Sequence, residues 1–286
     1  MQDDNQETGQ PVTLEDLLKQ AIVEGFVEVP MLPEIANRAF ALANDKDSDA
    51  SQMAQLIQTD PALAGHVMRI ANSAAYTPMA NLVSLQQAIA RLGMNVISEI
   101  AISAVLSAKL FNTPGYETYV EANWHHALAT SLWAKEIARH CRVNVEVAFL
   151  AGLIHSIGRP AILQTLIDIA SQDNLALDPD EVHTLEDQYW LDVSTMVVRR
   201  WHMPALVVDT IEHLASPFND GAASKMAAVV DAAKHFAEAM FTGQTGNLAQ
   251  FGELPSINQL NIYPEETQQL LSMQEVIEQR LKGLTA

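Results

Sequence analysis

Three short segments carry the side chains best suited to chemistry. The first is Trp124-His125-His126-Ala127. The second runs Phe149-Leu150-Ala151-Gly152-Leu153-Ile154-His155-Ser156-Ile157-Gly158. The third is Val229-Val230-Asp231-Ala232-Ala233. Imidazole and carboxylate groups bind divalent cations and move protons near neutral pH. Histidines in apolar helical segments also serve as hydrogen-bonded core or helix-end residues, a role that needs no cofactor. The sequence holds no Gly-rich phosphate loop and no zinc-type cysteine spacing. Its single cysteine, Cys141, forms no internal disulfide and reads as a small residue near a helix end in a reduced compartment.

The elements that must position these segments read as helices. Thr13 and Asp16 resemble a capping box for a helix to about Val23, and Pro30 and Pro33 bracket the turn after it. A second helix covers Glu34 to Leu42, with a polar loop from Asn44 to Asp49. Asp60-Pro61 pairs a capping carboxylate with proline at the first helical position. Ser84 opens a helix that Gly93 ends, and Met94 to Phe111 forms a long apolar one. Asn112-Thr113-Pro114-Gly115 is the expected boundary between two helical lobes. Further helices are expected near 117–141, 144–154, 159–172, 181–190, 192–201, 204–214 and 222–241, with a last one from Pro264 to about Leu281. Alternating strand patterns are scarce, so the predicted fold class is all-α. The predicted organisation is a disordered tail over 1–12, an N-terminal helical lobe over 13–111, a second helical lobe over 115–241, and a loop and helix over 242–286.

Composition narrows the function. Of 286 residues, 49% are hydrophobic and only 6% aromatic, enough apolar material for a helix-packed core. Lys plus Arg is 16 against 35 Asp plus Glu, a formal charge of −19. A chain this acidic is a poor partner for nucleic acid or an anionic membrane surface. The N-terminus has no apolar signal-peptide core, and no uncharged apolar run approaches the roughly 18 residues of a membrane span. A cytoplasmic location is expected.

Together the three segments resemble the HD phosphohydrolase superfamily. Its pattern is a histidine on one helix, a His-Asp pair at a later helix end and a distal aspartate on a further helix. The resemblance implies His126, His155 and Asp231 as metal ligands, with Ser156 where the aspartate of the pair is expected. Neutral serine cannot supply that carboxylate's charge, so the site reads as vestigial, with weak divalent-metal occupancy left open. Leu32-Pro33, Asp60-Pro61-Ala62-Leu63, the run from Arg69 to Tyr76, and Ser84-Leu85 with Arg91-Leu92-Gly93 are similar to the HDOD family, HD-related output domains of bacterial signalling. That resemblance spans roughly 13–241. Trp190 stands where the family's mid-domain histidine is expected, and Leu214 where the second of two paired histidines is, leaving His213 alone. His66, His140, His183 and His235 match nothing and read as surface or packing residues.

The implied function is a non-catalytic signalling module that acts through a protein partner. Two alternatives stand beside it: a metal-dependent phosphohydrolase, and a relic that binds a nucleotide or cyclic dinucleotide without cleaving it. The binding relic would bring basic residues towards His126 and His155, with Arg159, Arg199 and Arg200 as the candidates.

Overall fold

The computed structural model describes residues 13–32, 34–77, 82–107, 110–173, 175–216, 221–246 and 248–285. The expected disordered tail over 1–12, and Pro33, lie outside them. No strand occurs among the described residues, and the fold is all-α.

Local caps open the helices. In α1 (Leu14–Glu24) the Thr13 hydroxyl accepts the Asp16 N–H at 3.1 Å, and the Asp16 carboxylate accepts the Thr13 N–H at 3.1 Å. After α2 (Glu34–Asn44) comes α3 (Ala50–Gln58), a helix the sequence reading left unassigned. Its signal was present: Asp49 accepts from the Ser51 and Gln52 N–H groups at 2.8 and 2.9 Å, and the Gln52 amide oxygen accepts the Asp49 N–H at 2.9 Å. In α4 (Pro61–Ala71) Asp60 accepts the Ala62 and Leu63 N–H groups at 2.9 and 3.0 Å, the expected cap. Ser84 caps α5 (Leu85–Leu92), Gly93 ends it with φ 86°, and α6 (Met94–Ser107) follows.

The second half departs from expectation at three places. Beyond α7 (Glu117–Cys141), α8 (Val145–Ile154) and α9 (Gly158–Asp173), the two helices expected over 181–201 form one continuous α10 (Pro179–Arg200). No glycine or proline stands inside it to break the backbone ladder. After α11 (Ala205–Glu212), a 3-10 turn (His213–Ala215) and α12 (Ala222–Thr242), the expected loop contains α13 (Leu248–Gly252). Then α14 (Pro255–Gln259) leads to α15 (Pro264–Leu271) and α16 (Gln274–Thr285), two helices where one was expected.

Helices α2 to α6 pack on one another, as do α7, α8, α11 and α12, while α10 joins α9 to α11. The axis of the second group is α7, whose residues from Ala127 to Ala138 are all buried. The two groups meet where α6 crosses α8 and where α16 lies on both α6 and α7. Helix α1 leaves its sequence neighbours and packs on α9. Tyr189 on α10 donates to Glu15 of α1 at 2.9 Å, and the Trp201 indole donates to the Pro30 carbonyl at 2.8 Å. The run Val145–Asp173 has the length and hydropathy of a membrane span, yet 72% of its most apolar stretch is buried inside the protein. That burial accounts for its apolar character.

Candidate relic metal site

Two close helix contacts set the geometry of the candidate site. A Cβ on Gly152 of α8 would stand 2.8 Å from the Ser131 Cα of α7, so only glycine lets these helices cross here. This crossing brings His155, at the end of α8, beside His126 on α7, with ring centroids 6.2 Å apart. A Cβ on Gly158 would lie 2.2 Å from the Trp190 carbonyl oxygen and 2.6 Å from the Ser194 nitrogen of α10. That second contact sets the Trp190 ring edge-on to His155 at 6.4 Å.

Two cations, each with a carboxylate near it, approach the Trp190 ring. From α12, Lys234 Nζ lies 5.2 Å from the Trp190 ring centroid, and from α9 the Arg159 guanidinium lies 6.0 Å from it. Arg159 also pairs with Asp187 at 2.6 Å. His126 Nε2 stands 3.6 Å from the exposed Glu238 carboxylate. His155 is only 2% exposed, and its Nδ1 lies 2.7 Å from the Gly152 carbonyl. The carbonyl can only accept, so Nδ1 carries the proton and Nε2 keeps its lone pair.

Burial holds the His155 imidazole well below its ordinary value, and the Lys234 charge pushes the same way. Burial also lowers His126, against the pull of Glu238, and lowers the Lys234 ammonium, against the pull of Asp231. A histidine with a depressed folded pKa stabilises the fold above its unfolded value of 6.5, and that contribution fades as pH falls below it. Between pH 6.5 and 5.5 His155 is therefore expected to cost up to about 1 kcal/mol of stability. Urea titrations at the two pH values should show this loss in the unmodified protein and a smaller one in His155→Gln. Equal losses in the two would show that His155 is not held neutral.

Asp231 sits one turn from His235, whose Nδ1 is 3.8 Å from the Asp231 carboxylate. Among the described residues, no group of three or more His, Cys, Asp and Glu side chains converges as a metal-ligand set. Ser156 lines a neighbouring cavity. Of the three arginines singled out in the sequence, Arg159 reaches the cluster. Arg199 pairs with Glu212 at 2.7 Å, and Arg200 donates to the Gly25 and Val27 carbonyls at 3.0 and 3.3 Å. His140 pairs with Glu266 at 3.2 Å and His183 with Glu186 at 3.5 Å, while His213 Nδ1 meets the Asp209 carbonyl at 2.6 Å. Lys234 escaped the sequence reading. Its only sequence signal is the three-residue spacing from Asp231, which puts both on one face of α12.

The HDOD domain family matches residues 29–217 of the sequence. The chain belongs to the HDOD family. The HDOD match begins after α1 and ends before α12, so Asp231 and Lys234 lie beyond it. Among solved structures, the HDOD chain is similar to a "Putative phosphohydrolase" from Shewanella amazonensis SB2B, at 21% identity and TM-score 0.67, covering 94% of this chain and 98% of that one. A "Putative signal transduction protein" from Marinobacter aquaeolei VT8 has 19% identity and TM-score 0.64, with 98% of this chain and 68% of that one covered. At such identities the likeness establishes the fold. A curated relative, an uncharacterized protein of Treponema pallidum (strain Nichols), is 22% identical over 204 residues. That alignment covers 68% of this chain and 39% of the relative.

Proposed function

We propose that this HDOD chain is a non-catalytic regulatory module, acting through a signalling partner in the cytoplasm, whose relic hydrolase cleft carries a fixed cation in place of a metal ion. The observation that carries this reading is Lys234, half-buried over the Trp190 ring beside His155. A divalent ion, the group implied by the superfamily, fits these residues poorly. Among the described residues, no third His, Cys, Asp or Glu side chain joins His126 and His155 as a ligand. Residue 156 offers no carboxylate, Trp190 offers no imidazole, and an incoming ion would meet the Lys234 and Arg159 charges in a poorly solvated cleft. Metal-assisted hydrolysis needs an ion held firmly enough to acidify its water, and these residues do not supply that hold.

The expected result is no hydrolysis of phosphodiesters or nucleotides above contaminant level with manganese, iron or magnesium. Ser156→Asp with Lys234→Met should bind Mn2+ at least about tenfold more tightly than the unmodified chain, because a charge is added on one side and a repulsion removed on the other. Robust metal-dependent hydrolysis by the unmodified chain, lost in His155→Ala, would overturn the reading.

One observation favours the ligand-binding relic as the second reading. Arg159, Lys234 and two neutral histidines share one cleft, an arrangement suited to an anion such as a nucleotide phosphate. A thermal-shift screen of nucleotides and cyclic dinucleotides tests it, since a ligand of the native state raises the melting temperature.

A further inference from the structure

The last helix, α16, lies outside the HDOD match and crosses the seam between the two helical groups. It packs on α6 from the first group and on α7 from the second, and its Gly283 rests on the turn after α4. Ile277 and Leu284 are its buried apolar anchors. Two anchors on a helix of 12 residues hold it less firmly than α7, whose residues from Ala127 to Ala138 are all buried.

Three features weaken the docking of α16 and let it leave without harm. The first is Ser73. A Cβ on Gly283 would stand 3.0 Å from the Ser73 Oγ and 3.1 Å from the Ala75 Cβ, so α16 seats its backbone against this serine. The Ser73 hydroxyl is buried and has no hydrogen-bond partner among the described residues. Docking strips water from that hydroxyl and returns no bond, a cost that release recovers. The second is a cavity of about 570 Å3 between the two groups, with Leu284 and Thr285 in its wall. Side chains that face a void lack packing partners on that side.

The third is the ion pair. Arg280 of α16 donates to the buried Glu136 of α7 at 2.9 Å, and Arg139 of α7 reaches the same oxygen at 2.6 Å. A buried carboxylate left alone would be strongly destabilising. Arg139 keeps Glu136 paired when Arg280 withdraws, so release strands no charge. The pivot is also in place. Helix α15 is held separately, on α13, with Thr267, Leu270 and Leu271 buried. The turn Ser272–Met273 then leads into α16, whose Gln274 accepts from the Thr245 hydroxyl at 2.8 Å.

We propose that α16 is a releasable strap across the seam. Docked, it ties α6 to α7 and fixes how the two helical groups pack. Released, it pivots about Ser272–Met273, returns Ser73 to water and takes away one wall of the cavity, while both groups stay folded. The strap gives the module two states, and only this use of it rests on the regulatory reading above.

Native-state hydrogen exchange of the full chain tests the strap. Amides of α16 from Ile277 to Leu284 should exchange as one group, at least about a hundredfold faster than those of α7 from Ala127 to Ala138, and with a weaker dependence on added urea. Gly283→Leu, which wedges against Ser73 and Ala75, should strip protection from α16 and leave α7 protected. Ser73→Ala removes the unpaired hydroxyl and should slow α16 exchange about fivefold. Exchange of α16 at the α7 rate would overturn the proposal, as would a gradient that rises only towards Thr285, the mark of simple end fraying. So would loss of α7 protection together with α16 in a folded Gly283→Leu, or no slowing in a folded Ser73→Ala. If Gly283→Leu fails to fold, the unmodified chain and Ser73→Ala still decide. None of these outcomes depends on whether the protein hydrolyses phosphoesters.

Discussion

Lys135→Met is expected to lower the unfolding free energy by about 3–5 kcal/mol. Lys135 on α7 is 7% exposed and its ammonium is bonded to both oxygens of Glu99 on α6, which is 9% exposed. Burial pushes the Glu99 carboxyl upward, against the opposing pull of Lys135. Removing the ammonium leaves that carboxylate in a dry contact between helices, where it must stay charged and unpaired or take up a proton. The effect should therefore be larger at pH 8 than at pH 5, where protonation relieves it. Glu99→Met combined with Lys135→Met removes both charges and should lie within about 2 kcal/mol of the unmodified protein, since an apolar pair of similar volume replaces a buried ion pair at little cost. Urea titration of the two single variants and the double variant measures the coupling directly. A loss below about 1 kcal/mol for Lys135→Met would show that the pair is solvated and not part of the core.

Gly158→Ala is the second large effect, with an expected loss of about 3 kcal/mol. The atoms that the new methyl meets are the Trp190 carbonyl oxygen and the Ser194 nitrogen, both backbone. Neither can rotate away, so α9 and α10 must separate. The Gly158 N–H also donates to the Ser194 hydroxyl at 2.9 Å, a bond that the separation would stretch. Because Trp190 rides on the same stretch of α10, the variant should also change the tryptophan emission spectrum. A fully stable Gly158→Ala with unaltered emission would mean that the two helices do not meet this closely.

Much of the secondary structure was legible because its causes are local. Thr13 with Asp16, Asp60 with Pro61, and Ser84 with Gly93 each satisfy or end a helix within a few residues of themselves. Where the reading failed, the signal was local too but weaker. The Asp49–Gln52 capping box opens α3, and the unbroken stretch from Pro179 to Arg200 carries no residue that stops a helix. The family was legible in its motifs, and its match over 29–217 agrees with most of the span expected.

The sequence by itself determined an acidic, helical HDOD chain with serine at position 156 and tryptophan at 190, because composition and short motifs carry that information directly. Only the tertiary structure decided which side chains meet. It laid α1 on α9, chose Arg159 over Arg199 and Arg200, and brought Lys234 over Trp190. The physical reason is that a helix's residues fix its period and its ends. The partner of a side chain depends instead on where two helices cross, and here those crossings hang on single close contacts at Gly152 and Gly158. Sequence spacing along one helix holds no record of such a contact with another.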